Sequence, residues 1–235
     1  KWRMPVCGFF RNSKICSMPP PSSGGIVLMQ MLNMVSMMPQ GDLVWHSLPM
    51  LHFKAEIMRS AYADRAHFLG DPDFVKIPIK KLISANYAQE KFKQIKRLKA
   101  RKSRDVIPKE MGELKKVYQQ HESNDTSHLS VVDSNRNAVS LTFTINYSFG
   151  SGVIAKGTGI LLNDEMDDFA SEIGKPNVYG LVGGKANSIE PRKTPLSSMS
   201  PVIATKNGQL HFCTGSPGGS RIITTVFDAI LNHKL

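Results

Sequence analysis

Four short stretches of this sequence carry side chains or backbone that could do chemistry. The first is Asp125-Thr126-Ser127-His128, where a hydroxyl opens an apolar run, HLSVVD. By itself, such a threonine reads as the start of a half-buried strand. The second is GILLNDEMDDF, with Asp164, Glu165, Asp167 and Asp168 inside five residues. Four acids so close form a solvated turn or attract a cation, although the spaced Asp/Asn and Gly pattern of a calcium-binding EF-hand is missing. The third is PLSSMSP, whose Ser197-Ser198 pair is ordinary turn chemistry. The fourth is GSPGGSRII, a glycine-rich turn opening a helix. There the free N–H groups and the positive end of the helix dipole suit an anion, with a phosphate as one reading.

The elements that must position these groups fall into two textures. Residues 17–25, SMPPPSSGG, combine three prolines and two glycines and feed at once into GIVLMQMLNMVSMM. That pattern predicts a loop leading into a buried helix, with the methionines as core filler. A second helix is expected over 53–69, with Phe53, Ile57, Ala61 and Phe68 near helical spacing and Gly70 and Pro72 as the stop. A third is expected over 80–98. Residues 101–124 turn polar and charged, broken by Pro108 and Gly112, and read as a linker or exposed hinge. Beyond it, HLSVVD, SNRN and AVSLTFTINYS predict a hairpin with Val139, Leu141, Phe143 and Ile145 on one face. Strands are expected at 159–162, 201–205 and 210–214, followed by the helix IITTVFDAILNHKL.

Charge and cysteines bound the function classes. The net charge of +11 sits in the first half: residues 1–125 hold 21 Lys+Arg against 11 Asp+Glu, and residues 126–235 hold 9 against 8. Eleven of the cations fall within 91–116, where Phe92 is the one ring able to stack on a base. This favours a solvated helix and linker over a nucleic-acid site. No uninterrupted apolar run reaches the roughly 18 residues of a membrane span. The opening KWRMP lacks the succession of a signal peptide. Cys7, Cys16 and Cys213 lack zinc-site spacing; a Cys7–Cys16 disulfide is one option, and free buried thiols are the favoured expectation.

Taken in order, SMPPPSSGG, AYADR…LGDPDF, DTSHLSVVD, NAVSLTFTIN, GILLNDEMDDF, NVYGLVGG, PLSSMSP and TGSPGGSRIITTV resemble strings of the γ-glutamyltransferase (γ-glutamyltranspeptidase) family. The resemblance implies an α+β fold: a four-layer αββα sandwich of the N-terminal-nucleophile hydrolase type, here incomplete. It implies a precursor that cuts itself between Asp125 and Thr126, so that residues 1–125 end the large subunit and 126–235 begin the small one. Thr126 is then the nucleophile and its freed α-amino group the base, with Thr144 beside it. Gly218 and Gly219 would form the oxyanion hole. Glu165 and Asp168, helped by Asn146, would take the α-ammonium of a γ-glutamyl group; Ser197 and Ser198 would take its α-carboxylate. Tyr179, in NVYGLVGG, would close a lid over the site.

The family implies neither metal nor other cofactor. The partners it implies are glutathione or another γ-glutamyl donor, and water or an amino-acid or peptide acceptor; its members are exported to the periplasm or cell surface. The chain departs from the family in three ways. By the resemblance, these residues are expected to lack the family's upstream arginine that binds the substrate carboxylate and the family's remaining C-terminal sheet and helices, and Ile173 stands where the lid often has proline. A middle portion of this kind is expected to be unstable or inactive alone. Two other readings stay open: a cephalosporin-type acylase of the same superfamily, and a catalytically silent piece that binds partners through its basic stretch.

Overall fold

The computed structural model describes residues 1–107, 125–177 and 180–234. In chain order the elements are β1 (Val6–Phe10), β2 (Ser13–Ser17), α1 (Gly24–Val35), α2 (Leu48–Phe68), α3 (Ile79–Leu82) and α4 (Ala85–Lys93). Beyond residue 125 come β3 (Ser127–Val132), β4 (Ala138–Phe143), β5 (Val202–Lys206), β6 (Gln209–Thr214) and α5 (Ile222–Lys234). Four strands make an antiparallel sheet in the order β1-β2-β5-β6, and β3 and β4 pair as a separate hairpin. Two strands more than 180 residues apart in sequence thus lie side by side, with Ile15 opposite Ala204 and Ser17 opposite Val202.

One face of the sheet, carrying Val6, Phe10, Ile15, Val202 and Ala204, is buried. α1 packs on it and is buried on almost every side, as expected of a helix apolar all round its circumference. α2, α4 and α5 surround α1 in turn, and Ile223, Val226, Phe227, Ile230 and Leu231 of α5 complete the core at helical spacing. Gly24 is required where α1 begins: a Cβ there would fall 2.4 Å from the Met199 carbonyl oxygen. That contact seats the start of α1 directly against the 197–200 loop.

Several expectations are refined. The helix expected from residue 53 starts earlier, at Leu48, because Ser47 caps it by accepting from the Met50 N–H at 3.3 Å. The helix expected over 80–98 is two short ones; Ser84 interrupts it and caps α4 by accepting from the Tyr87 N–H. No strand forms at 159–162, where Gly157 and Gly159 take positive φ and leave an isolated bridge between Ile154 and Leu161. The β3–β4 hairpin forms around 134–137, but Val139, Leu141 and Phe143 are each about half exposed rather than covered. β1 and β2 were missed, since VCGFF and SKICS are too short to show clear alternation.

The cysteine expectation is overturned: Cys7 and Cys16 face each other across β1 and β2 and form a disulfide, while Cys213 is free. Pairing of the strands places the two residues opposite each other, which the nine-residue separation alone could not show. The described part of the basic stretch is mostly exposed, as expected, although Lys91 and Arg101 are largely covered. Lys91 pairs with Asp64 at 2.7 Å, Arg97 with Asp42, and Arg101 with Glu56, all three acids being buried. These cations neutralise carboxylates in the protein interior. The linker expected over 101–124 lies mostly outside the described residues. Among those described, no helix is long and apolar enough to cross a membrane.

Candidate functional site

Thr126 directly precedes β3 and is 8% exposed. The Asp125 carboxylate accepts from the Ser148 hydroxyl at 2.6 Å. The chain returns along β4 and leaves it at Thr144, whose Oγ1 accepts from the Asn146 N–H at 2.9 Å. Asn146 sits in the left-handed region (φ 76°), which asparagine tolerates better than most residues. This bend turns its buried side chain so that Nδ2 donates to the Asp164 carbonyl at 3.3 Å. The hairpin and the acidic segment are joined there.

Glu165 and Asp168 lie at the two ends of a 3₁₀ turn, Glu165–Asp168, and hydrogen-bond to each other. Burial pushes the Glu165 carboxyl up to about 7, and the negative charge of Asp168 adds to it. Burial also lifts Asp168 to about 6, against the opposing pull of the Arg65 guanidinium. The hydrogen bond favours the neutral form of Glu165 and the charged form of Asp168, so the proton shared by the pair rests on Glu165. Such a pair suits a cationic group that would replace that proton. Among the described residues no group of His, Cys, Asp and Glu is placed to hold a metal ion.

The Ser197–Ser198 loop is held from behind by the proline-glycine loop. The Ser197 N–H donates to Pro21 O at 2.9 Å; Ser23 Oγ donates to Ser197 O at 2.7 Å, and Ser22 Oγ to Met199 O at 2.7 Å. Opposite, Gly218 (φ 119°) and Gly219 (φ 51°) form the turn entering α5. Their backbone lies where L side chains are strained, which explains the glycine pair.

Thr126, Thr144, Asn146, Glu165, Asp168, Ser197, Ser198 and Gly219 line one cleft of about 30 Å³, with Leu181, Met199 and Ile222. Eight of the residues singled out from sequence thus meet, although they span 94 positions from Thr126 to Gly219. Gly218 adjoins the cleft through Gly219, and Asp125 through Thr126. Tyr179 lies outside the described residues.

Three residues, two behind the cleft and one on the β3–β4 hairpin, received no role from the sequence. Arg65 and Tyr62, one turn apart on α2, reach its walls: Arg65 bonds Ser23 and Ser198, and the Tyr62 hydroxyl donates to Ser220 O at 2.9 Å. Burial pushes the Tyr62 hydroxyl up to about 12, so it remains a donor. A signal was present, because Arg65 follows Ile57 and Ala61 on the apolar stripe of α2, where a charge must find buried partners. His128 is the third. Its ring bonds Thr142 Oγ1 at 2.8 Å and Ser130 Oγ at 3.0 Å, and it packs against Gly215, where a Cβ would fall 2.1 Å from the ring. Burial pushes its pKa down, favouring the neutral ring.

Known proteins resemble this chain over its whole length. The family model described as gamma-glutamyltranspeptidase matches residues 1–235. The chain is 47% identical to the glutathione hydrolase proenzyme of Escherichia coli (strain K12), over 98% of this chain and 38% of that protein. It is 37% identical to the acylase ACY 1 proenzyme of Pseudomonas sp. (strain V22), again over 98% of this chain and 38% of the relative. The solved cephalosporin acylase from Bacillus halodurans superposes on all of the chain with a TM-score of 0.75 at 21% identity, and the chain covers 38% of it. That likeness concerns the fold, an incomplete αββα sandwich of the N-terminal-nucleophile hydrolase type. The chain therefore spans well under half the length of the relatives it matches, and it belongs to the γ-glutamyltranspeptidase family.

Proposed function

We propose that this segment carries the catalytic centre of a γ-glutamyltransferase that moves a γ-glutamyl group from glutathione or a related donor to water, an amino acid or a peptide. The observation supporting this reading is the single cleft, where a buried threonine just before β3 meets an acid pair, a serine pair and a glycine turn. Residues 1–125 would end the large subunit and 126–235 begin the small one.

In the first step Thr126 Oγ attacks the Asp125 carbonyl carbon, the peptide C–N bond breaks, and an ester remains with a free α-amino group. Water hydrolyses the ester. The amine, with a reference pKa of roughly 7.7–8.0, can then take the proton of its own hydroxyl as Oγ attacks the γ-carbonyl of the donor. N–H groups of Gly218 and Gly219 would stabilise the oxyanion. The resulting ammonium returns its proton to the leaving amine, and water or an acceptor amine releases the acyl group from Thr126. Thr144 would orient the nucleophile. Glu165, Asp168 and Asn146 would hold the α-ammonium, Ser197 and Ser198 the α-carboxylate, and Tyr179 would cover them. No cofactor enters this scheme. The Cys7–Cys16 disulfide favours an oxidising compartment, in keeping with a periplasmic or cell-surface enzyme.

The test is a precursor of the relatives' full length that contains this segment. It should separate into two pieces meeting at Asp125/Thr126 and release p-nitroaniline from γ-glutamyl p-nitroanilide, whereas Thr126→Ala should remain one inactive chain. Cleavage or turnover by that variant would remove Thr126 as nucleophile. A glutaryl anilide cleaved faster than the γ-glutamyl one would instead favour the acylase reading, since a glutaryl group lacks the ammonium that an acid pair suits.

A further inference from the structure

Arg65 lies behind the cleft, 4% exposed, and its guanidinium faces two of the cleft's walls. Nε donates to Ser23 Oγ at 3.0 Å, and Nη2 donates to Ser198 Oγ at 3.2 Å. Ser23 Oγ gives its own hydrogen to Ser197 O, so it meets Arg65 as an acceptor and ties the guanidinium to the backbone of the serine loop. Ser198 Oγ likewise accepts from Arg65, which leaves its hydrogen to donate to an anion. On the other wall, the Arg65 charge acts on Asp168 and opposes the effect of burial there. The planar fork reaches both anchors at once, a geometry lysine cannot copy.

We infer that Arg65 is a positioning residue for donor selection: through Ser23 and Ser198 it aims a hydroxyl at the donor's α-carboxylate, and through its charge it keeps Asp168 available to the α-ammonium. The cleft then recognises the two charges of one α-carbon together. This inference rests on the assignment of Ser198 and Asp168 to the donor under the proposed function.

The test uses the full-length precursor as Arg65→Gln and Arg65→Lys with three p-nitroanilide donors. γ-Glutamyl carries both charges, glutaryl the carboxylate alone, and 4-aminobutyryl the ammonium alone. Arg65→Gln is expected to raise KM about tenfold for the γ-glutamyl donor and less for each single-charge donor, with kcat within about threefold. Arg65→Lys keeps the charge but loses the fork, so KM should recover for 4-aminobutyryl but not for glutaryl. A merely structural arginine would move all three donors together.

The inference is overturned if KM for all three donors stays within about twofold in either variant, or if kcat falls equally for all three with KM unchanged. If Arg65→Gln fails to fold, Arg65→Lys decides alone, through its split between glutaryl and 4-aminobutyryl. Ser23→Ala provides a second decision, since loss of that anchor should raise KM for glutaryl more than for 4-aminobutyryl. If wild-type enzyme shows no preference for γ-glutamyl over the single-charge donors, the donor assignment itself fails. If that preference is present and the variants leave it intact, only the role of Arg65 fails.

Discussion

If Glu165 holds the donor's α-ammonium as proposed, lowering the pH from 7 to 5.5 should make the full-length enzyme lose its preference for a donor with an α-ammonium, because Glu165 becomes neutral in that window. Its carboxyl is raised to about 7 by burial and by Asp168. A group with that midpoint is about half ionised at pH 7 and about 3% ionised at pH 5.5, so an ammonium that needs the charged form loses about fifteenfold in affinity. Asp168, raised to about 6, adds to the loss as the second member of the coupled pair. The donor's ammonium remains protonated throughout, because the free carboxylate on the same carbon holds its pKa above the roughly 7.7–8.0 of a chain N-terminus.

Protonation of the Thr126 amine also slows the reaction in acid, but equally for every donor. The informative quantity is therefore the ratio of kcat/KM for γ-glutamyl p-nitroanilide to that for glutaryl p-nitroanilide, measured across this range on the processed full-length enzyme. The ratio should rise about fifteenfold from pH 5.5 to 7, and Glu165→Gln should flatten it at a low value. A constant ratio in the wild type would refute the assignment of Glu165 to the ammonium. In the empty protein the sign is the opposite: the contribution of neutral Glu165 to stability is fully present below its ordinary value of 4.5 and is lost as pH rises through about 7.

Two further perturbations test the parts around the cleft in the same full-length protein. Gly218→Ala places a Cβ at φ 119°, at a strain of about 1–3 kcal/mol, and should lower kcat about a hundredfold by shifting the proposed oxyanion turn while KM changes little; kcat within twofold of wild type would count against that role. Arg101→Met leaves Glu56, 1% exposed, with Arg59 as its remaining charge partner. It should destabilise by about 3 kcal/mol in denaturant unfolding. The double change Glu56→Leu/Arg101→Met should recover most of the loss, and a neutral single variant would show that the ion pair contributes nothing.

Much of the site was legible in sequence because its groups sit in short strings with their own local reasons. Glycines stand where φ is positive at 218 and 219, four acids share one turn, and an apolar run follows Thr126. Order along the chain then identified the family. Local pattern failed where a property depends on what lies across from a residue. The Cys7–Cys16 bond depends on strand register, and the apolar residues of β4 promised a buried face that is half exposed. Lys91 and Arg101 looked solvated because the sequence does not show that Asp64 and Glu56 lie buried beside them.

The sequence by itself determined the helices that fill the core and the β3–β4 hairpin, which follow from spacings of a few residues, while the roles expected of Thr126, the acids, the serines and the glycines came from the order of whole motifs along the chain. Only the tertiary structure decided which of those residues meet. It brought Thr126, Asp168, Ser198 and Gly219 to one cleft and set Tyr62 and Arg65 behind it. The physical reason is burial. A polar group enclosed by chain must find partners wherever the fold supplies them, and for Arg65 those partners lie 42 and 133 residues away.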